Sequence, residues 1–129
     1  MLDDGPKTTR ANRLLLVEDN VEMRELVAEA LRSFGFDVEE AGDGVDALAA
    51  IRRMRPSLLI TDCDMPNMTG NELVRALACD ERLCSLPAIV ISALKQPPMP
   101  DNVVRFLAKP FTLEQLRAAV RDCLVTASL

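Results

Sequence analysis

Four apolar runs punctuate the chain, at residues 14–17, 58–60, 88–91 and 106–108, and each is followed within two residues by a side chain able to bind a metal or a phosphate. Runs this short and continuous suit strands buried on both faces, as in a parallel sheet. Between them the apolar positions switch to helical spacing. Met23, Leu26, Val27, Ala30, Leu31 and Phe34 share one helical face, with Asn20 as N-cap and Gly35 as a stop, which predicts a helix over residues 21–34. Residues 36–40 predict a short second strand, and Asp43 caps a helix carrying Ala47, Leu48, Ile51 and Met54 on one face and ended by Pro56. A third strand is expected over residues 57–62 and a turn over 65–68. Thr69-Gly70-Asn71-Glu72 then matches a capping box opening a helix with Leu73, Val74 and Leu77. Strands are expected over residues 87–91 and 103–108. Thr112-Leu113-Glu114-Gln115 is a second capping box, starting a helix that turns Leu113, Leu116, Val120 and Cys123 inward.

Strands alternating with helices at this spacing imply right-handed crossovers, hence an α/β fold: a doubly wound, five-stranded parallel sheet covered on both faces. One unit is irregular. Pro97, Pro98 and Pro100 stand between the fourth and fifth strands, so the fourth crossover helix is expected to be short or absent. Residues 1–12 are polar, contain Gly and Pro and lack periodicity, which predicts a disordered tail before a single domain at 13–129.

Composition narrows the function. The 129 residues are 49% apolar and 27% charged, the balance of one soluble globular domain. A net charge of −5 without a Lys/Arg cluster or an aromatic platform argues against direct nucleic-acid binding. No segment suits a bilayer or a signal peptide, so no membrane contact and a cytoplasmic location are expected. Cys63, Cys79, Cys84 and Cys123 lack Cys-x-x-Cys spacing and the chain has no His, so reduced thiols rather than a zinc site are expected.

In an open parallel sheet, ligands bind in the crevice outside the carboxyl ends of the strands. Glu18, Asp19 and Asp62 would meet there, and three converging carboxylates repel one another unless a cation joins them. A hard divalent ion, Mg²⁺ first, suits a shallow acidic cleft that leaves room for water and phosphate oxygens. Asp62, ending the central run, is then the candidate nucleophile for an aspartyl phosphate. Ser92 supplies a hydroxyl and Lys109 a positive charge, the complements a transferred phosphoryl group requires. Singly, each of these residues has an ordinary structural use; their order along four apolar strands is what points to this chemistry.

These residues, and above all Asp62-Cys63-Asp64-Met65-Pro66-Asn67-Met68-Thr69-Gly70, resemble the receiver domain of bacterial two-component response regulators. The resemblance runs from Arg13 to Val125. It implies a flavodoxin-like sheet of strand order 2-1-3-4-5, Asp62 as phosphoacceptor, and Mg²⁺ held by Asp19, Asp62 and the backbone carbonyl of Asp64, with Glu18 acting through metal-bound water. It also implies Ser92 and Phe106 as the switch pair and Lys109 as the phosphoryl partner before a cis Pro110. Glu18 stands where the family more often has Asp, and Asp64 adds a carboxylate beside the acceptor.

The expected function is that of a stand-alone receiver in a two-component phosphorelay. Asp62 would accept a phosphoryl group from a sensor histidine kinase or a histidine phosphotransfer protein, and the domain, a monomer or weak dimer, would switch shape to control a downstream protein effector. Such a protein assists its own phosphorylation and is not a turnover enzyme. Two alternatives share these residues: a receiver-like interaction module that works without phosphorylation, and a phosphatase of the haloacid dehalogenase type built on Asp62-Cys63-Asp64.

Overall fold

A computed structural model describes residues 13–63, 70–93 and 103–127. In chain order these form β1 (Arg13–Val17), α1 (Val21–Ser33), β2 (Asp37–Ala41), α2 (Gly44–Arg53), β3 (Leu58–Asp62), α3 (Gly70–Ala78), β4 (Ala88–Ser92), β5 (Val103–Ala108) and α4 (Leu113–Ala127). The strands make one parallel sheet of order β2-β1-β3-β4-β5, the order implied by the resemblance. The expected tail, the turn at 65–68, Thr69 of the first capping box and the proline-bearing crossover lie outside the described residues.

Alternation along the strands divides the core in two. Leu15, Val17, Leu59, Ala88 and Val90 pack with Ala47, Ile51, Leu73 and Leu77 of α2 and α3. Leu14, Leu16, Leu58, Ile60, Ile89 and Ile91 pack on the other face with Val27, Leu31, Leu116 and Val120 of α1 and α4. Every residue of β3 and β4 is buried, which is why those runs are continuously apolar until their last residues.

Local chemistry sets the helix ends. Asn20 accepts a hydrogen bond from the Met23 amide at 2.8 Å, and Asp43 does the same for Asp46 at 2.8 Å. Gly35, at φ +100°, takes the left-handed turn after α1 that a side chain would resist. Thr112 and Gln115 bond each other reciprocally, Gln115 N to Thr112 Oγ1 at 3.0 Å and Thr112 N to Gln115 Oε1 at 2.8 Å, completing the capping box ahead of α4.

Four residues on the predicted apolar helix faces, Leu113 among those expected inward, are exposed. Met23, Leu26 and Leu113 are exposed because the first two turns of α1 and the first turn of α4 stand at the carboxyl edge of the sheet, where among the described residues no strand covers them. Met54 is exposed because it leaves the helix as its C-cap, with extended backbone (φ −156°, ψ 113°). Edge strand β2 is guarded by charge. Glu39 pairs with Arg13 and, at 2.8 Å, with Arg53, while Glu40 pairs with Arg24 and Arg32, each at 3.2 Å.

The difference between core and overhang is testable. Leu59→Ala, in the central strand, is expected to cost about 2–5 kcal/mol in urea unfolding, whereas Leu26→Ala is expected to stay within about 0.5 kcal/mol of the parent.

Candidate functional site

Strand register brings the chemical residues level. β1 and β3 pair through Val17 and Thr61, so Glu18 and Asp62 follow side by side; Asp62 pairs with Ile91, and Ser92 with Ala108, placing Ser92 one step beyond and Lys109 two. Carboxylate oxygens of Glu18, Asp19 and Asp62 all lie within 4.8 Å of one another, about the spacing of adjacent strands.

Glu18 is held at three points. Its amide donates to the Ala41 carbonyl at 3.1 Å, its carbonyl accepts from Arg24 Nη1 at 3.0 Å, and its Oε2 accepts from the Asn20 amide at 3.2 Å. Asp19, one residue on, is exposed at the mouth. Asp62 is only 4% exposed and accepts from Lys109 Nζ at 3.1 Å through Oδ2. Lys109 is itself positioned by its amide, which donates to the Ser92 carbonyl at 2.9 Å, and the Lys109–Pro110 peptide bond is cis as the resemblance implies.

The electrostatics favour a cation. Burial raises the Glu18 carboxyl to about 7; the Asn20 amide opposes the rise, the neighbouring Asp62 adds to it and Lys109 opposes it. Three hard oxygen donors in an open cleft fit Mg²⁺, which retains water and takes phosphate oxygens.

Ser92 is buried, and by alternation it follows Ala88 and Val90 toward the α2/α3 face. Phe106, paired with Val90 and half-buried, packs against the same cluster. Asp64 lies outside the described residues, so its carbonyl is not placed. The acids and Lys109 therefore come together at the strand tips, while Ser92 and Phe106 share the opposite layer.

Two features escaped the sequence reading. One is a cavity of about 520 Å³ beside the acids, lined by Met23, Leu26, Ala93, Pro110, Phe111 and Leu113 together with Asp62 and Lys109. Its signal was an apolar stripe on α1 broader than the sheet can cover, with Val21, Met23 and Leu26 all apolar. The other is Arg24, whose bond to the Glu18 carbonyl has no local sequence signature. All four cysteines are free thiols, with Cys123 buried on α4 as expected. Among the described residues no helix is long and apolar enough to cross a membrane.

Comparison with known proteins agrees with this geometry. The family model for the response regulator receiver domain matches residues 14–121. The chain is 35% identical over 117 residues to the chemotaxis protein CheY of Pseudomonas aeruginosa, covering 84% of this chain and 92% of that protein. It is 38% identical over 112 residues to hybrid signal transduction histidine kinase D of Dictyostelium discoideum, covering 83% of this chain but 7% of that much longer protein. Among solved structures, it is similar to the receiver domain of sensor histidine kinase PA1611 from Pseudomonas aeruginosa PAO1, which has a magnesium ion coordinated in the active site cleft. That similarity has a TM-score of 0.79 at 28% identity and covers 88% of this chain and 98% of that one. With the fold, the acidic cleft and the sequence in agreement, the chain belongs to the response regulator receiver domain family, phosphoaccepting signalling domains with Mg²⁺ as cofactor rather than turnover enzymes.

Proposed function

We propose that Asp62 is the phosphoacceptor. The observation that carries this is the 3.1 Å bond from Lys109 Nζ to a 4% exposed carboxylate standing in a cluster with Glu18 and Asp19. Asp62 Oδ attacks the phosphorus of a phosphohistidine; the P–N bond breaks, its electron pair returns to the imidazole, and the imidazole leaves after taking up a proton. Asp19 and Asp62, with the Asp64 carbonyl and with Glu18 acting through water, would hold Mg²⁺, which would supply charge neutralisation for the phosphoryl oxygens. Lys109 follows the negative charge from the carboxylate to the phosphoryl group. Ser92 moves its hydroxyl toward that group, and Phe106, packed beside the same layer, changes rotamer.

The donor is a sensor histidine kinase or a histidine phosphotransfer protein, consistent with kinases among the relatives. Its docking surface is the overhang of Met23, Leu26, Phe111 and Leu113, because these residues line the cavity that also reaches Asp62 and Lys109. The receiver unit is residues 13–129, cytoplasmic, a monomer or weak dimer, and its phosphorylated form controls a downstream protein effector. Membership of the receiver family removes the haloacid dehalogenase alternative, and the complete constellation of acids and Lys109 favours a phosphorylated switch over a phosphate-independent module.

Incubation with acetyl phosphate or phosphoramidate is expected to add one phosphoryl group in intact mass, only with Mg²⁺ and not in Asp62→Asn. Absence of this gain from both small donors and from a purified kinase would overturn the assignment. Lys109→Ala is expected to be phosphorylated yet to lose most of the phosphorylation-dependent change in partner binding; an unaltered change would remove Lys109 from the switch.

Glu18 gives a pH signature. Its folded-state value of about 7 stands above the ordinary 4.5, so the metal-free native state holds a proton that the unfolded chain releases between these values. The Glu18 contribution therefore lowers stability as pH rises from about 4.5 to about 7 and is constant above that. Mg²⁺ favours the deprotonated form, so its affinity rises over the upper part of the same range. Calorimetry across pH should show this rise in the parent and a flattened profile in Glu18→Gln.

A further inference from the structure

The Mg²⁺-binding loop between β1 and α1 is braced from the side by one arginine. Arg24 sits in the first turn of α1, where its amide donates to the Asn20 carbonyl at 2.9 Å. Its side chain does not run out to solvent; it is 19% exposed and turns toward β2. There the guanidinium divides its donors, Nη1 to the Glu18 carbonyl at 3.0 Å and Nε to Glu40 Oε1 at 3.2 Å. Glycine at position 42 makes room for it, since a Cβ there would stand 3.3 Å from Nη1, closer than ordinary van der Waals contact. One planar fork thus ties the backbone of an acidic-cluster residue to the edge strand.

We propose that Arg24 is a positioning residue for the metal site: by fixing the Glu18 carbonyl against Glu40, it holds the Glu18 and Asp19 carboxylates at the spacing that Mg²⁺ needs. The inference rests on the Mg²⁺ reading of the acidic cluster. Two considerations separate positioning from plain electrostatics. A cation this close to the acids repels Mg²⁺, so if charge alone mattered, removing it would tighten metal binding. Glu40 already balances that charge, which leaves geometry as the main contribution. Lysine cannot replace the fork, because an ammonium is a compact point donor on a flexible stem. Partners that orient metal ligands are commonly worth 10–100-fold in affinity.

The test is Mg²⁺ titration by isothermal calorimetry on the unphosphorylated protein, with thermal unfolding of the metal-free form measured in parallel. The chain has no Trp or Tyr, so intrinsic fluorescence offers no substitute. Arg24→Ala is expected to weaken Mg²⁺ binding on the order of tenfold, Arg24→Lys to recover only part of that loss, and Gly42→Ala to weaken binding in the same direction but less. Arg32→Ala is the control, because Arg32 also pairs with Glu40 at 3.2 Å but donates to the Val38 carbonyl rather than to Glu18; its Mg²⁺ affinity should match the parent.

Unchanged affinity in Arg24→Ala, with only a lowered melting temperature, would make Arg24 structural and overturn the proposal, as would tighter binding. If Arg24→Ala does not fold, Arg24→Lys and Gly42→Ala decide the question, and parental affinity in both overturns it. Failure of the parent protein to bind Mg²⁺ would instead overturn the metal reading on which the inference rests.

Discussion

Asp62 ends a strand whose five residues are all buried, and a carboxylate in that position needs compensation from its neighbours. Lys109 supplies it from β5, the sheet's opposite edge from β2, at 3.1 Å. For that bond to form, β4 must lie between β3 and β5 in a fixed register, and the Lys109 amide is anchored to Ser92 at the tip of β4. Glu18 and Asp19 arrive from the other side of Asp62, just after β1, and bring more negative charge than one lysine balances. The order of the strands and the chemistry of the cleft are thus two aspects of one arrangement.

The same geometry explains the loop after β1. Its backbone faces two demands: to start α1, which Asn20 meets by capping, and to present two adjacent acids at a shared mouth. Glu18 meets the second demand with both its main-chain groups bonded, its amide to Ala41 at the end of β2 and its carbonyl to the Arg24 side chain of α1. The charged pairs along β2 guard an exposed edge, and one of them, Arg24 with Glu40, also touches the active loop.

Much of this was legible in the sequence because buried parallel strands leave continuous apolar runs, and because Asn20, Asp43 and Thr112 have short side chains that bond their own helix starts. The converging acids were legible for a related reason: each ends or closely follows a strand, and strand ends in a parallel sheet collect at one edge. Periodicity failed at Met23, Leu26 and Leu113, since it reports which side of a helix is apolar but not where the sheet beneath it stops. Met54 failed because a C-cap no longer follows the helical face. Arg24 was invisible for a third reason: its partners, Glu18 and Glu40, are fixed by tertiary placement rather than by spacing.

The sheet also works as a partition. Phe106 and the side chains of β4 nearest it belong to the α2/α3 layer, while the cavity leading to Asp62 and Lys109 is walled by α1 and the start of α4. A surface that receives the phosphoryl group and a surface that reports it can therefore diverge separately. Under the proposed function, substitutions in one layer would change which donor is accepted and those in the other which listener responds, with the strand tips as the boundary that the two specificities share.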